Sequence, residues 1–241
     1  MAARLWWGER IGPLRELGAL LVNVLFPPRC VGCRRLGAQW CAACQASVRR
    51  LEPPLCSRCG RPQQARPVCD TCRRLSPGLN GIRSVALFEG SLRQAIHAFK
   101  YSGQASLAEP LGELLVSYWA ESPLPADLIV PVPLHPTRQR QRGYNQSSLL
   151  AGRLAVAAHL PLVEDCLVRV RATASQMTLG VHERQRNVEG AFRCVDSHLA
   201  GQRVVLVDDV CTSACTLGAC STALCESGVA SVWALTLARA V

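Results

Sequence analysis

The chain has 241 residues, 49% of them apolar and 18% charged, a composition that excludes a largely disordered protein and leaves room for one α/β domain with a small accessory module. It also carries 14 cysteines and a formal net charge of +10. The positive charge is concentrated in residues 27–76, where ten arginines face only Glu52 and Asp70. A basic segment permits contact with a phosphate backbone without establishing it.

Residues 1–26 predict a short amphipathic helix, because five aliphatic residues fall on one helical face. These residues are Leu14, Leu17, Leu21, Val24 and Leu25. No apolar run here is long enough to cross a bilayer, and the segment lacks the pattern of a signal peptide. We therefore expect a helix that packs on its own protein, with a membrane-surface anchor as the alternative, no transmembrane segment and a cytoplasmic location.

Residues 27–76 contain eight of the cysteines, all in C-x-x-C pairs, which in the cytoplasm hold metal more often than they form disulfides. Each pair directs two sulfurs at one ion, and two pairs complete a tetrahedral site. The spacing predicts a double zinc ribbon with two structural Zn²⁺ ions, and an interleaved pairing stays open. Taken in order, the ligands are Cys30, Cys33, Cys41 and Cys44 on one ion, then Cys56, Cys59, Cys69 and Cys72 on the other.

Residues 80–241 alternate between strand and helix patterns, which predicts an α/β domain with a mainly parallel sheet covered on both faces. Ser91 is the expected N-cap of the first helix of this domain. The predicted strands are 85–88, 127–132, 203–207 and 231–237, and the predicted helices are 91–100, 104–119, 145–158 and 216–226.

The most informative segment is VVLVDDVCTSACT at residues 204–216, an apolar strand followed by two acids and a loop of small and hydroxyl residues that opens into a helix. Ligands of parallel sheets bind beyond the carboxyl ends of the strands. The amides of residues 212–216 and the helix N-terminus suit a phosphate monoester, with hydroxyl donors at Thr212, Ser213 and Thr216. Asp208 and Asp209 suit ribose hydroxyls, directly or through Mg²⁺. The alternative is that both acids only cap the strand and helix.

This segment resembles the loop of type I phosphoribosyltransferases that binds 5-phosphoribosyl-1-pyrophosphate (PRPP). Three further segments resemble the ComF/GntX-type family of competence-associated proteins. They are HAFKYSG at 97–103, PVPLHP at 131–136 leading to RGYNQ at 142–146, and Thr173-x-x-Gln176 leading to RNVEGAF at 186–192. With the double zinc ribbon in front, the resemblance covers nearly the whole chain from about residue 26.

The resemblance implies a phosphoribosyltransferase-type sheet that binds PRPP with Mg²⁺. It makes Asp208 and Asp209 the catalytic residues. It also implies that the phosphate is bound by the loop of Thr212, Ser213, Ala214, Cys215 and Thr216. It assigns Arg138 and Arg142 to the pyrophosphate, with a solvated basic loop as the alternative. It makes residues 171–187 a mobile loop that brings Arg184 and Arg186 to phosphates, with a flexible surface connection as the alternative.

Three other side chains near these motifs receive structural interpretations. His135 is expected to cap a turn or to lie buried. Lys100 is expected to extend along a helix end towards solvent. Cys211 is expected to be a small residue that fills space in the packed interior. Contact of Lys100 and Tyr101 with phosphate or DNA is the alternative.

The family loop usually has glycine where this chain has Ala214, and a left-handed alanine costs about 1–2 kcal/mol. Three functions therefore stay open. The first is a DNA-uptake factor that binds PRPP and single-stranded DNA. The second is an active phosphoribosyltransferase on an unidentified acceptor. The third is a zinc adaptor for a competence helicase or another DNA-processing partner.

Overall fold

A computed structural model describes residues 27–63, 67–69, 72, 78–171 and 187–241. The helix predicted at 1–26 lies outside these residues. The zinc-binding part contains one short helix, α1 (Ala42–Ala46). None of the described helices is both long enough and apolar enough to cross a membrane.

The larger part is built on a four-stranded parallel sheet in the order β1-β6-β5-β2. Its strands are β1 (Gly81–Leu87), β2 (Leu128–Pro131), β5 (Arg203–Cys211) and β6 (Ser231–Arg239). A separate antiparallel hairpin pairs β3 (Leu167–Arg169) with β4 (Phe192–Cys194). The mainly parallel sheet predicted from the sequence is confirmed.

Five further helices lie among the described residues of this part. Four of them fall where helices were predicted, and α4 was not predicted. They are α2 (Gly90–Tyr101), α3 (Ala108–Glu121), α4 (Pro136–Arg142), α5 (Gln146–Ala158) and α6 (Cys215–Glu226). A 3₁₀ turn at Ala105–Leu107 takes the place of the first turn of the predicted helix 104–119. Helix α4 lies where the sequence suggested a basic loop.

Two apolar clusters form on the sheet, and each contains cysteines of one ribbon. One cluster joins α2, α3 and α5 to Cys30, Trp40 and Cys44. The other joins α6 and the β3–β4 hairpin to Cys56, Cys59 and Cys72. The two zinc-ribbon units therefore pack into different cores of one domain.

The segment between the two units runs along the edge strand β1. Leu51 N donates to Val85 O at 3.0 Å, and Leu87 N donates to Arg49 O at 2.9 Å, around an antiparallel bridge between Arg50 and Ala86. Covering an exposed edge satisfies backbone groups that would otherwise pair with another chain. The linker thus fixes each unit close to the sheet.

Each unit also approaches the domain closely at a glycine. A Cβ on Gly32 would lie 2.7 Å from Cys44 Sγ and 3.1 Å from Ser91 Cβ. A Cβ on Gly60, whose φ is +66°, would lie 2.9 Å from Ile82 O. These two contacts require glycine because no side chain fits between the ribbon and its neighbour.

Two local predictions are wrong for reasons of tertiary packing. Ser91 does not cap α2, because its Oγ donates to Cys44 O at 2.6 Å, and Glu89 occupies the N-cap without a side-chain bond. Strand β5 runs through the acid pair and ends at Cys211, since residues 208, 210 and 211 stay in register with β6. The acids therefore project from the strand itself.

Candidate functional site

The eight paired cysteines form two clusters in sequential order. Within each cluster the four sulfur atoms lie within 4.8 Å of one another. A tetrahedral zinc ion with Zn–S bonds of about 2.3 Å places its sulfurs about 3.8 Å apart, so both clusters fit the ion. The first contains Cys30, Cys33, Cys41 and Cys44, and the second contains Cys56, Cys59, Cys69 and Cys72.

Backbone amides in each cluster favour the thiolate form that zinc requires. Cys41 N donates to Cys30 Sγ at 3.4 Å, and Cys69 N donates to Cys56 Sγ at 3.4 Å. Although burial favours the neutral thiol, these and neighbouring amides lower the pKa of Cys30 and of Cys56 to about 6. The donor set is therefore that of two structural zinc sites.

A buried arginine joins the second cluster to the end of β5. Arg239 is 2% exposed, and its Nη1 donates to Cys59 O at 2.8 Å and to Cys211 Sγ at 3.1 Å. Burial raises the pKa of Cys211 to about 11, so this thiol stays neutral and the space-filling interpretation fits.

Asp208 and Asp209 lie together near the carboxyl end of β5. Ser147 Oγ and Asp209 N each donate to Asp208 Oδ1 at 2.9 Å. Burial and the neighbouring Asp209 raise the pKa of Asp208 to about 7, although Lys100 and these two donors oppose the shift. The pair therefore resists carrying two negative charges.

Lys100 faces this acid pair from the last turn of α2. Its Nζ lies 2.8 Å from Asp209 Oδ1, and the side chain is 21% exposed. Burial disfavours the ammonium, but Asp209 and Asp208 raise the pKa of Lys100 above its ordinary value. The prediction that Lys100 extends to solvent is wrong, because the sheet brings a buried carboxylate within reach.

The loop after β5 ends in a left-handed residue, Ala214, with φ 64° and ψ 5° at the N-cap of α6. Alanine has no side-chain oxygen to cap the helix, whose first amides lack partners within the helix. Ser213 Oγ, one residue before the N-cap, is buried and has no hydrogen-bond partner among the described residues, and the same holds for Asp209 Oδ2 in β5. An uncapped helix N-terminus next to an unsatisfied hydroxyl has the features of an anion-binding site, whereas a carboxylate oxygen suits a hydroxyl donor or a cation.

Arg138 and Arg142, the two arginines predicted to bind the pyrophosphate, have different surroundings. Burial and the charge of Arg138 lower the pKa of Arg169, while the charge of Asp208 acts in the opposite direction. Arg142 instead donates to Gln146 Oε1, with its Cζ 5.4 Å from the ring centroid of Tyr101. Arg184 and Arg186 lie outside the described residues.

Arg169, Ser147 and Lys100 are the site residues that the sequence did not assign. Arg169 extends from β3 with its Cζ 5.2 Å from the ring centroid of Phe192. A three-residue strand carries too little periodic signal to be predicted. His135 caps α4 by accepting from Thr137 N at 3.3 Å, in agreement with the capping interpretation.

Comparison with known proteins identifies the family. A double zinc ribbon domain model matches residues 21–73. The DNA utilization protein YhgH of Escherichia coli is 32% identical over 83% of this chain and 89% of its own. Competence protein F of Haemophilus influenzae is 30% identical over 88% and 97% of the two chains, and competence protein ComFC of Bacillus subtilis is 30% identical over 83% of each. The chain belongs to the ComF family.

This ComF-family chain also resembles parts of solved phosphoribosyltransferase structures. A glutamine PRPP amidotransferase from Bacillus subtilis matches 54% of this chain and 25% of its own at 25% identity, with a TM-score of 0.38. A phosphoribosyltransferase from Corynebacterium diphtheriae matches 63% and 69% of the two chains at 18% identity, with a TM-score of 0.32. The predicted resemblance to competence-associated proteins with a double zinc ribbon is confirmed.

Proposed function

We propose that this protein binds PRPP, or a related ribose phosphate, together with Mg²⁺ and handles single-stranded DNA during DNA uptake in the cytoplasm. The observation that carries the first part is the juxtaposition of an acid pair, a small hydroxyl loop and the uncapped N-terminus of α6. The names of its relatives, which refer to competence and DNA utilization, support the second part.

Each part of a phosphoribosyl ligand meets a chemically suitable group in this arrangement. The 5-phosphate suits the amides of the 212–216 loop and the dipole of a 12-residue helix. The ribose diol suits Asp209 Oδ2, an acceptor without a partner in the described structure. The pyrophosphate suits Arg138 of α4 and Arg169 of β3, because a guanidinium group matches the geometry of phosphate oxygens.

Magnesium fits the acid pair, since carboxylate oxygens and phosphates are the ligands it prefers. Asp208 and Asp209 would hold it, and it would neutralise the charge that accumulates when a pyrophosphate approaches two carboxylates. Lys100, 2.8 Å from Asp209, supplies part of that neutralisation from the protein. Asp208 and Asp209 are accordingly proposed as the residues that orient the ribose.

The test of the ribose-phosphate proposal is calorimetric titration of PRPP with Mg²⁺ into the zinc-loaded protein. We expect the parent to bind and an Asp208→Asn/Asp209→Asn variant to lose at least tenfold in affinity. Asp127→Asn is the matched control, because Asp127 pairs with Arg203 on the surface and does not contact the acid pair. Unfolding temperature and zinc content verify the fold of each variant. A parent that does not bind PRPP refutes the proposal.

The DNA part of the proposal has its own test. We expect a labelled single-stranded oligonucleotide to bind the parent at low salt, with an affinity that falls as salt rises. Absence of binding at low salt refutes this part and leaves the ribose-phosphate part standing.

A further inference from the structure

The exposed face of α2 presents a row of polar and aromatic side chains. Arg93, His97 and Tyr101 are four residues apart and all exposed, so they lie along one side of the helix. Gln94 is exposed beside Arg93. We call these four residues the α2 strip. Tyr101 is 59% exposed, which places it among the most exposed large hydrophobic side chains in the described structure.

The C-terminal end of the strip is a small aromatic platform. The ring centroids of His97 and Tyr101 lie 4.7 Å apart. The guanidinium carbon of Arg142 lies 5.4 Å from the centroid of Tyr101. Contacts with an imidazole and a guanidinium support the Tyr101 ring, and its exposed surface is suited to stack on a planar ligand at small entropic cost.

A groove of about 470 Å³ continues from this platform between α2 and the first zinc ribbon. Arg93, Gln94 and His97 form one wall, and Arg34 of the ribbon lines the other. The volume is that of a site for one small planar molecule. Contacts of Ser91 Oγ with Cys44 O and Ser47 Oγ, at 2.6 and 3.2 Å, fix the ribbon against α2 and hold the groove open.

The segments that surround the groove contain no acidic residue. All residues that line the groove lie in the ranges 27–51 and 90–108, which contain no Asp or Glu, and the range 135–163, which carries Arg142, contains none either. The two acids that flank the range 90–108 are both paired, Glu89 with Arg49 and Glu109 with Arg153, each at 2.7 Å. The surface therefore attracts an extended polyanion, and its exposed rings suit planar bases.

We propose that the α2 strip and its groove bind single-stranded DNA, with bases stacked on Tyr101 and His97 and phosphates held by Arg34, Arg93 and Arg142. This inference rests on the DNA part of the proposed function and gives it a location. A duplex presents no free base faces to the platform, so the surface selects single strands. Lys100 directly precedes Tyr101 in α2 and its Nζ lies 2.8 Å from Asp209 Oδ1, so the strand would pass close to the acid pair at this end of the strip.

The test measures anisotropy of a labelled 20-mer of thymidine against the zinc-loaded protein. We expect Tyr101→Leu to weaken binding at least about fivefold and Tyr101→Trp to retain it, since stacking depends on the ring. We expect Arg93→Gln to lower the slope of log affinity against log salt by about 0.7. Arg193→Gln is the matched control, because Arg193 is an exposed arginine of β4, outside the groove and its surrounding segments.

Crosslinking supplies a readout of location that does not depend on affinity. A strand carrying 5-bromodeoxyuridine is expected to attach to the peptide that contains His97 and Tyr101. If the parent binds the strand but Tyr101→Leu and Arg93→Gln match the control, the surface is overturned while the DNA function stands. A parent that binds no strand overturns both, and equal competition by duplex excludes the stacking mode.

Discussion

Ala214 has a left-handed backbone conformation, which is energetically unfavourable for a residue that carries a Cβ. Its φ of 64° places it in the left-handed region, which favours glycine. The residue is 5% exposed and begins α6, so the conformation is fixed by the strand before it and the helix after it. The loop therefore retains its shape at the expense of local strain.

We expect Ala214→Gly to stabilise the protein by up to about 1 kcal/mol, because relief of strain exceeds the extra entropy of glycine in the unfolded chain. Urea denaturation measures the change. His159→Gly is the control, since His159 has a φ of 54° at the end of α5, away from the loop. Both variants should gain stability, and only Ala214→Gly should change PRPP affinity. A loss of stability in Ala214→Gly contradicts the argument.

Asp208 gives the stability an unusual pH dependence. Its pKa is raised from 3.8 to about 7, so between these values the unfolded chain binds fewer protons than the folded one. The contribution of Asp208 to stability is thus present at low pH and falls as pH rises through this window. We expect Asp208→Asn, which keeps an acceptor for Ser147, to gain stability relative to the parent from about pH 4 to about pH 8.

Denaturation at several pH values checks this expectation, and Asp127→Asn should behave in the opposite sense. The Arg203 side chain and amide lower the pKa of Asp127 to about 2, so its contribution is present above pH 3.8 and lost towards pH 2. A difference between Asp208→Asn and the parent that does not change with pH refutes the raised pKa.

At the scale of single elements, the zinc ribbons and the last strand depend on one another. Arg239 ends β6, pairs in register with Cys211, and donates to the carbonyl of the zinc ligand Cys59. A zinc ion with four thiolates carries a net charge of −2, which offsets the desolvation of the buried guanidinium. Outer groups that contact metal ligands typically change metal affinity 10- to 100-fold.

We expect Arg239→Met to weaken zinc binding at the second cluster about tenfold and to leave the first cluster unchanged. Chelator competition with alkylation of the released thiols, read peptide by peptide, separates the two clusters. The first cluster, on Cys30, Cys33, Cys41 and Cys44, is the internal control. Equal loss of zinc from both clusters would show a general destabilisation and contradict a local role for Arg239.

At the scale of the whole molecule, the ribbons act as parts of two cores rather than as an appended module. Cys30 and Trp40 pack with the cluster of α2, α3 and α5, whereas Cys56 and Cys59 pack with the cluster of α6 and the hairpin. Metal loss at one cluster should therefore loosen one core before the other.

We expect Cys30→Ser to increase amide hydrogen exchange most in α2, and Cys56→Ser to increase it most in α6 and the β3–β4 hairpin. Each variant is the control for the other. Mass spectrometry of zinc-loaded protein measures the exchange. Identical exchange patterns in the two variants would show that the ribbons contribute to a single cooperative unit without separate cores.

The sequence alone determined features that depend on local geometry. C-x-x-C spacing identified all eight cysteines of the two clusters, because a tight turn is enough to converge each pair. Apolar runs identified the four sheet strands, and the acid pair with its loop identified the candidate ligand site. Of the two interpretations of His135, a turn cap or a buried side chain, the structure shows the cap, which depends only on residues two or three positions away.

Only the tertiary structure decided which distant side chains meet. Lys100 of α2 pairs with Asp209 of β5, and Arg169 lies on a hairpin that was not predicted. The same packing places one ribbon in each core and leaves His97 and Tyr101 exposed beside Arg142. Local patterns fix turns and element types over a few residues, whereas these contacts depend on sheet order and helix placement, which the whole chain sets together.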